Sequence, residues 1–401
     1  MKKLVLPTLL LSLFSLNAKS QLVGVDAYLK GLYVEIGVDG AGGFEGADST
    51  ISLPPAGMHF RSNTPHSGFV ANPQMDGWIN YDGDYYTPGT PENGWGIEFI
   101  DTTSTDTFDI KLMNDRAGIT PDIPGAVTSY TNVGGLITVD WHGDYIGSGY
   151  DLDFDIKYEL LDTDLFYTTS VTIFNNGPAN IEELYYFRNI DPDNNVTLTG
   201  DYVTTNTIVT QMPCCTAAVV KAEQSLPWAS TFAFYSSDSS ARVSYGGFSN
   251  RDASDVWNAT GGLTGTMGSV NTADVAVSLA FYQPGLVSFM RSPGTSSVTF
   301  KFKTVFDATT LTNLINSTGV KENSLETVNV FPNPANDILN INSVNKLNSI
   351  KLYNTLGTVV YSNGNPNSSL VQVDMSELKT GIYILKIFGE DGSVTKKIIK
   401  R

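Results

Sequence analysis

Asp151-Leu152-Asp153-Phe154-Asp155-Ile156 decides the fold class. Polar and apolar side chains alternate with a strict period of two. On an extended chain this puts three carboxylates on one face and Leu152, Phe154 and Ile156 on the other, the signature of a half-buried β-strand. Working outward, strand-like runs recur at Gly31 to Val38, Leu136 to His142, Leu152 to Leu160, Phe166 to Phe174, Glu182 to Asn189, Val203 to Val209, Ala229 to Tyr235, Val275 to Tyr282 and Ser297 to Phe306. Gly, Asn and Pro punctuate them. A convincing amphipathic helix appears once, where Asp307 is placed to cap Ala308 to Ile315. Strands of eight or nine residues in a chain this long predict two large stacked sheets, an all-β, supersandwich-like β-sandwich, with a jelly roll as the alternative.

Charge narrows the partners. The chain carries a formal net charge of −17, and residues 21–320 alone hold 12 basic against 34 acidic side chains. Such a surface repels nucleic acid and anionic membrane, which excludes both as partners, and it admits an acidic polysaccharide only if cations intervene. A strongly acidic surface also serves solubility in saline surroundings. The three histidines, His59, His66 and His142, form no His-Glu-x-x-His pair, and no Gly-x-Ser-x-Gly elbow is present. Zinc-protease and α/β-hydrolase chemistry are therefore disfavoured. The two cysteines are neighbours, Cys214 and Cys215. A bridge between them would close almost no loop, so they cannot staple the fold; a vicinal disulfide and a pair of thiols both remain open.

The C-terminal seventy residues read differently. Val330-Phe331-Pro332-Asn333-Pro334-Ala335-Asn336-Asp337 opens the segment, Ile350 to Gly357 continues it, and Leu378-Lys379-Thr380-Gly381-Ile382-Tyr383-Ile384-Leu385-Lys386-Ile387 closes it. Pro332 and Pro334 fix φ and remove two donors, so this entry is extended and lies at an edge. Short alternating runs follow, with turn signals between them, and predict a small immunoglobulin-like antiparallel β-sandwich. In order and wording the three blocks resemble the sorting domain of the type IX secretion system of Bacteroidota. The resemblance implies that Phe331, Pro332, Asn333, Pro334, Gly357, Gly381 and Tyr383 belong to a sorting motif, that the secretion machinery is a partner, and that the chain is secreted or displayed at the cell surface. Lys2 and Lys3, the apolar run Leu4 to Leu16 and Ala18-Lys19-Ser20 read as a signal peptide over residues 1–20. The apolar run is too short to span a bilayer, and no transmembrane helix is expected elsewhere. The expected organisation is a large β-sandwich at 21–316, a linker at 317–326 and the sorting domain at 327–401.

Three stretches bear on chemistry. Residues 79–96 combine Tyr81, Tyr85, Tyr86 and Trp95 with four glycines and two prolines, just after Trp78. A rigid loop of this kind can stack on a sugar ring, with Asp82, Asp84 and Glu92 as polar partners. Trp78, Asp82, Asp84, Tyr85, Tyr86 and Trp95 are thus the candidate ligand face; packing of these aromatics onto the sheet is the competing reading. In Asp191-Pro192-Asp193-Asn194-Asn195, the residues Asp191, Asp193 and Asn195 alternate as Ca²⁺ ligands do, but Val196 and Tyr202 stand where an EF-hand has Gly and Glu. A plain Asx turn competes with that reading. The Asp151, Asp153 and Asp155 face is either a general acid and base set or a solvated strand face. Together these readings predict an exported binding or adhesion module for glycans. The alternatives are a polysaccharide-degrading enzyme on the same scaffold, a glycoside hydrolase or lyase, and a structural surface protein.

Overall fold

The structure is a computed structural model that describes residues 22–42, 55, 58, 69–71, 81–84, 93–102, 107–114, 122–225, 229–248, 252–286, 296–317, 328–354, 359–364, 366, 368–389 and 392–401. It is all-β in architecture and divides into two compact units, Met1–Asn316 and Ser317–Arg401.

In the large unit, nine antiparallel strands form one sheet in the order Val270–Ala273, Thr204–Thr210, Ala218–Gln224, Ser230–Ser236, Ser297–Val305, Phe166–Asn175, Tyr150–Leu161, Leu136–Gly147, Gly125–Val133. A five-stranded sheet runs Ala241–Gly246, Ala276–Gln283, Glu183–Ile190, Asn93–Thr102, Thr107–Asn114. One hydrophobic core takes residues from both. The alternation at Asp151 to Ile156 does what its period requires: Leu152, Phe154 and Ile156 are buried there while Asp155 is exposed. Aromatic rings bridge the sheets, with Phe281 stacked on Phe300 at 4.9 Å and Trp95 edge-on to Trp141 at 5.6 Å. Such pairs add roughly 0.5–1.5 kcal/mol each beyond the area they bury.

Both sheets are covered on part of their outer faces, which explains strands without alternation. Tyr185 and Phe187 point away from the main core and pack with Ala253 and Val256 of the short helix Ala253–Asn258. The run Leu184 to Phe187 is therefore apolar on both sides, as expected for a strand buried on both faces. On the nine-stranded sheet, Val219, Ala233, Tyr235 and Val305 receive Leu311 of the helix Ala308–Ser317. Asp307 caps that helix as expected, its Oδ2 accepting the Thr310 N–H at 2.6 Å. A third sheet of five strands, Leu22–Val23, Asp26–Lys30, Val34–Val38, Phe69–Ala71 and Tyr81–Asp84, adds Ala27, Leu29, Val34, Ile36 and Val38 to the same core.

The strap after Val38 is tied down by side chains from both large sheets. The carbonyl of Gly40 accepts the Trp141 indole N–H (2.9 Å), that of Ala41 accepts the Trp95 indole N–H (3.0 Å) and the Asn114 amide (3.0 Å), and that of Gly42 accepts the Tyr158 hydroxyl. Gly42 has φ +72°, and a Cβ there would lie 2.7 Å from the Trp141 ring. Only glycine fits both constraints.

In the C-terminal unit the first of the alternating runs belong to one long strand, Ile338–Tyr353, with an irregular register between Asn342 and Leu347. Its first half pairs with Asn329–Phe331 and Ser368–Asp374, and its second half with Val359–Asn363 and Gly381–Gly389. A single strand that changes partners half way folds the six strands around a core of Leu339, Ile341, Ile350, Leu352, Val373, Leu385, Ile387 and Ile398. The segment Phe331 to Ala335 is held against the last strand, Gly392–Lys400. Asn333 Nδ2 donates to Lys397 O (2.7 Å), its Oδ1 accepts the Ile399 N–H (2.9 Å), and Ala335 exchanges backbone bonds with Ile399 and Arg401. With Pro332 and Pro334 lacking N–H groups, the Asn333 amide supplies the pairing that the backbone cannot. Tyr383 is buried and its hydroxyl donates to Lys379 O (2.7 Å), Gly381 pairs with Lys400, and Phe331 is half exposed. Gly357 lies outside the described residues.

Candidate functional site

The expected sugar-binding face needs correction. Trp95 is fully buried, its indole hydrogen-bonded to the strap and its ring packed between Trp141, Phe154 and Tyr186. Gly96, next to it, has no room for a side chain on the opposite face: a Cβ there would lie 2.7 Å from the Phe187 ring. Trp95 is a core residue. Asp82 and Asp84 lie on the strand Tyr81–Asp84, whereas Trp78, Tyr85, Tyr86 and Glu92 lie outside the described residues.

On the outer face of the nine-stranded sheet, register places Asp155 opposite His142, Asp153 opposite Asp144 and Lys157 opposite Asp140. His142 Nδ1 stands 2.8 Å from Asp155 Oδ1, with both groups about half exposed. Water screens charges on such a face, and isolated pairs there contribute little to stability.

Asp191 and Asp193 do come together. They follow the strand Glu183–Ile190, are nearly or fully buried, and are joined by Asp274, which follows the edge strand Val270–Ala273. One carboxylate oxygen from each lies within 4.8 Å of the others. Asp274 has its carboxyl pushed above the usual carboxylate range by burial and by the nearby Asp201. Asn195, expected as the third ligand, is buried in a left-handed conformation (φ 62°) at the start of the helix Val196–Thr199. The third carboxylate comes from a residue about eighty positions away, beyond the reach of any spacing rule.

A cleft of about 430 Å³ opens beside the edge of the five-stranded sheet, lined by Gln211, Met212, Arg242, Trp257, Asn258 and Thr264 among others. The helix Ala253–Asn258 delivers Trp257, whose indole N–H donates to Ser240 O (2.7 Å) and whose edge meets Tyr185. The Arg242 guanidinium lies over that ring, its Cζ 3.7 Å from the centroid. Among the described residues no carboxylate lies within 4 Å of it. Gln211 frames the cleft: its Nε2 donates to Val243 O (2.8 Å) and Gly265 O (2.9 Å), and its Oε1 accepts the Val243 N–H (3.1 Å). Sequence reading missed Arg242, Trp257 and Gln211; a six-residue helix shows no periodicity to announce itself.

Comparison with known proteins bears on the C-terminal unit. Residues 329–401 match the secretion system C-terminal sorting domain family, and the unit they form belongs to it. The tail engages the type IX secretion machinery and marks the chain for export to the cell surface or release. Among the described residues no helix is long and apolar enough to cross a membrane. No curated protein matches the chain. Solved structures similar to it include a polysaccharide lyase (12% identity, 77% of this chain and 39% of the lyase, TM-score 0.25). A galactose mutarotase-like protein from Clostridium acetobutylicum (9%, 70% and 94%, 0.30) and a galactose mutarotase related enzyme from Lactobacillus acidophilus (9%, 71% and 98%, 0.29) are also similar. The chain thus spans well under half of the lyase, and at these TM-scores the likenesses carry no argument.

Proposed function

We propose that the exported large unit is a glycan-binding module and that the cleft over Trp257 and Arg242 receives the sugar. The observation that carries this reading is the cleft wall: an aromatic ring, a cation with no carboxylate within 4 Å among the described residues, and the Asn258 amide with the hydroxyls of Thr264 and Thr266. Rings offer sugars an apolar platform and amides and hydroxyls meet their hydroxyl groups. In a unit so rich in acids, an arginine with no carboxylate within 4 Å among the described residues suits a uronate or a sulfate ester. Affinity electrophoresis against neutral and uronic polysaccharides tests it. Retardation by a uronic polymer, lost in Trp257→Ala and reduced at least about tenfold in Arg242→Gln, is the expected result. No retardation by any polymer would return the molecule to the structural-surface reading. Release of reducing ends or unsaturated uronates would favour the polysaccharide-degrading reading instead, with the His142 and Asp155 pair as the first residues to substitute.

We also infer that Asp191, Asp193 and Asp274 hold Ca²⁺. Hard oxygen donors on a tight radius suit that ion, and binding to the native state alone raises stability. Millimolar Ca²⁺ is expected to raise the melting temperature of the native chain and not that of Asp274→Asn. Equal shifts in both, or none in the native chain, would remove the ion from this site.

A further inference from the structure

A second group of side chains, at the turn beside the cleft, belongs to a different chemistry. Cys214 Sγ and Cys215 Sγ are 3.0 Å apart as thiols, and the Met267 thioether sulfur lies 3.8 Å from the first and 3.5 Å from the second. Met267 is more than fifty residues further along the chain and half exposed. An unbranched apolar side chain at the surface usually has no fixed partner, yet this one is directed at both thiols.

The backbone explains the convergence without help from the sulfurs. The turn carrying the cysteines starts from Gln211, whose amide is bonded to Val243 and Gly265, and from Met212, which is buried in the main core. The turn carrying Met267 is closed by Ser269 N to Thr266 O (3.1 Å) and joined to the same strand by Gly268 N to Ile208 O and Ile208 N to Ser269 O, at 2.8 and 3.0 Å. Gly268, with φ +81°, makes that turn possible. Two stiff turns, fixed on the same strand end, therefore present three sulfurs to one point.

We propose that Cys214, Cys215 and Met267 form a binding site for a soft monovalent metal ion, Cu(I). Two thiolates and a thioether are the donors that select Cu(I) over the hard and borderline ions favoured by carboxylate and imidazole. With metal–sulfur bonds of about 2.3 Å, as for thiolates on a closed-shell ion, three sulfurs around one ion stand roughly 4 Å apart. The two distances to Met267 are already near that value. Only the cysteine pair must open, and Cys214, exposed and donating its S–H to Gln211 O (3.0 Å), is free of packing that would prevent rotation. The site is separate from the Asp191, Asp193 and Asp274 group, whose all-oxygen donors suit the opposite class of ion.

The test uses the full chain, reduced and kept under anaerobic conditions, with two thiols confirmed by Ellman titration. Cu(I) is then supplied in competition with bicinchoninate. One Cu(I) per chain is expected. Affinity should fall at least about a hundredfold in the Cys214→Ser, Cys215→Ser double variant and about tenfold in Met267→Leu. Both variants change exposed or half-exposed side chains, so melting temperatures close to native control for folding, and X-ray absorption should count three sulfur neighbours in the native chain and two in Met267→Leu. Native-like affinity in Met267→Leu would overturn the three-sulfur site. A native chain with two titratable thiols that takes no Cu(I) from the chelator would overturn the proposal outright.

Discussion

Two side-chain amides do the same job in the two units and do it under different constraints. In the sorting unit, Asn333 sits between two prolines at the surface and bonds the last strand through both ends of its amide. In the large unit, the half-buried Gln211 bonds two segments that are 32 and 54 residues away, and so holds open the cleft and the sulfur-bearing turns at once. The first amide replaces pairing that the prolines deny to the backbone. The second creates a junction that no strand pairing could make. Loss of an exposed clamp should therefore be local, whereas loss of the half-buried one should take several properties with it.

Gln211→Ala puts that contrast at greatest risk. Removing three hydrogen bonds and leaving the Val243 and Gly265 backbone groups without them should cost about 3 kcal/mol in the unfolding of the large unit, measured by denaturant titration. Polysaccharide retardation and Cu(I) uptake should weaken together in this variant. If only one weakens, Gln211 is not a shared frame.

A pH series sharpens the contrast between the units. In the large unit, Lys303 donates to Thr168 Oγ1 and lies over the Phe166 ring, and burial, with Lys301 nearby, pushes its pKa down to about 8. Its unfolded pKa is higher, so between the two values the unfolded chain binds the proton more tightly. The cost of charging Lys303 in the native state is complete below about pH 8 and is relieved as pH rises toward the unfolded value. Stability of the native large unit should thus gain about 2 kcal/mol over Lys303→Met across that window. Parallel pH profiles for the two proteins would show that Lys303 is solvated.

The smallest effect is expected from Asn333→Ala, about 1 kcal/mol and confined to the sorting unit's own transition. Unfolding of the large unit should not move. Asn333→Asp keeps the acceptor for Ile399 but turns a carboxylate oxygen toward the Lys397 carbonyl, so it should cost at least as much as Asn333→Ala. A shift in the large unit's transition would show that the clamps are not independent.

Period-two alternation made the sheets legible because most strands of the sandwich have one side in a single shared core. The Asp307 cap was legible because its partner, the Thr310 N–H, is set by local geometry; Asn333 was legible only as part of a proline-flanked entry, since its partners Lys397 and Ile399 lie more than sixty residues further along. Trp95 misled because glycines on both sides of a tryptophan read equally well as an open loop and as a backbone that must approach a buried neighbour. Asp191 and Asp193 could be found from spacing, but Asp274 could not, since strand order rather than sequence brings it there. The same holds at the cysteines: the adjacent pair is visible in the sequence, while Met267 reaches it only through the turn on Ile208. Arg242 and Trp257 meet because a strand and a helix of six residues each happen to face one another, and neither length leaves a periodic trace.

The strap at Gly40 to Gly42 has a consequence for the order of assembly. Its partners Trp95, Asn114, Trp141 and Tyr158 lie 54 to 116 residues downstream. Closing a loop of that size gives up chain entropy before any contact returns it. That cost favours docking of the strap after the more local strand pairings have formed. Once docked, this one short segment ties the two large sheets together, because Trp95 and Asn114 stand on one of them and Trp141 and Tyr158 on the other.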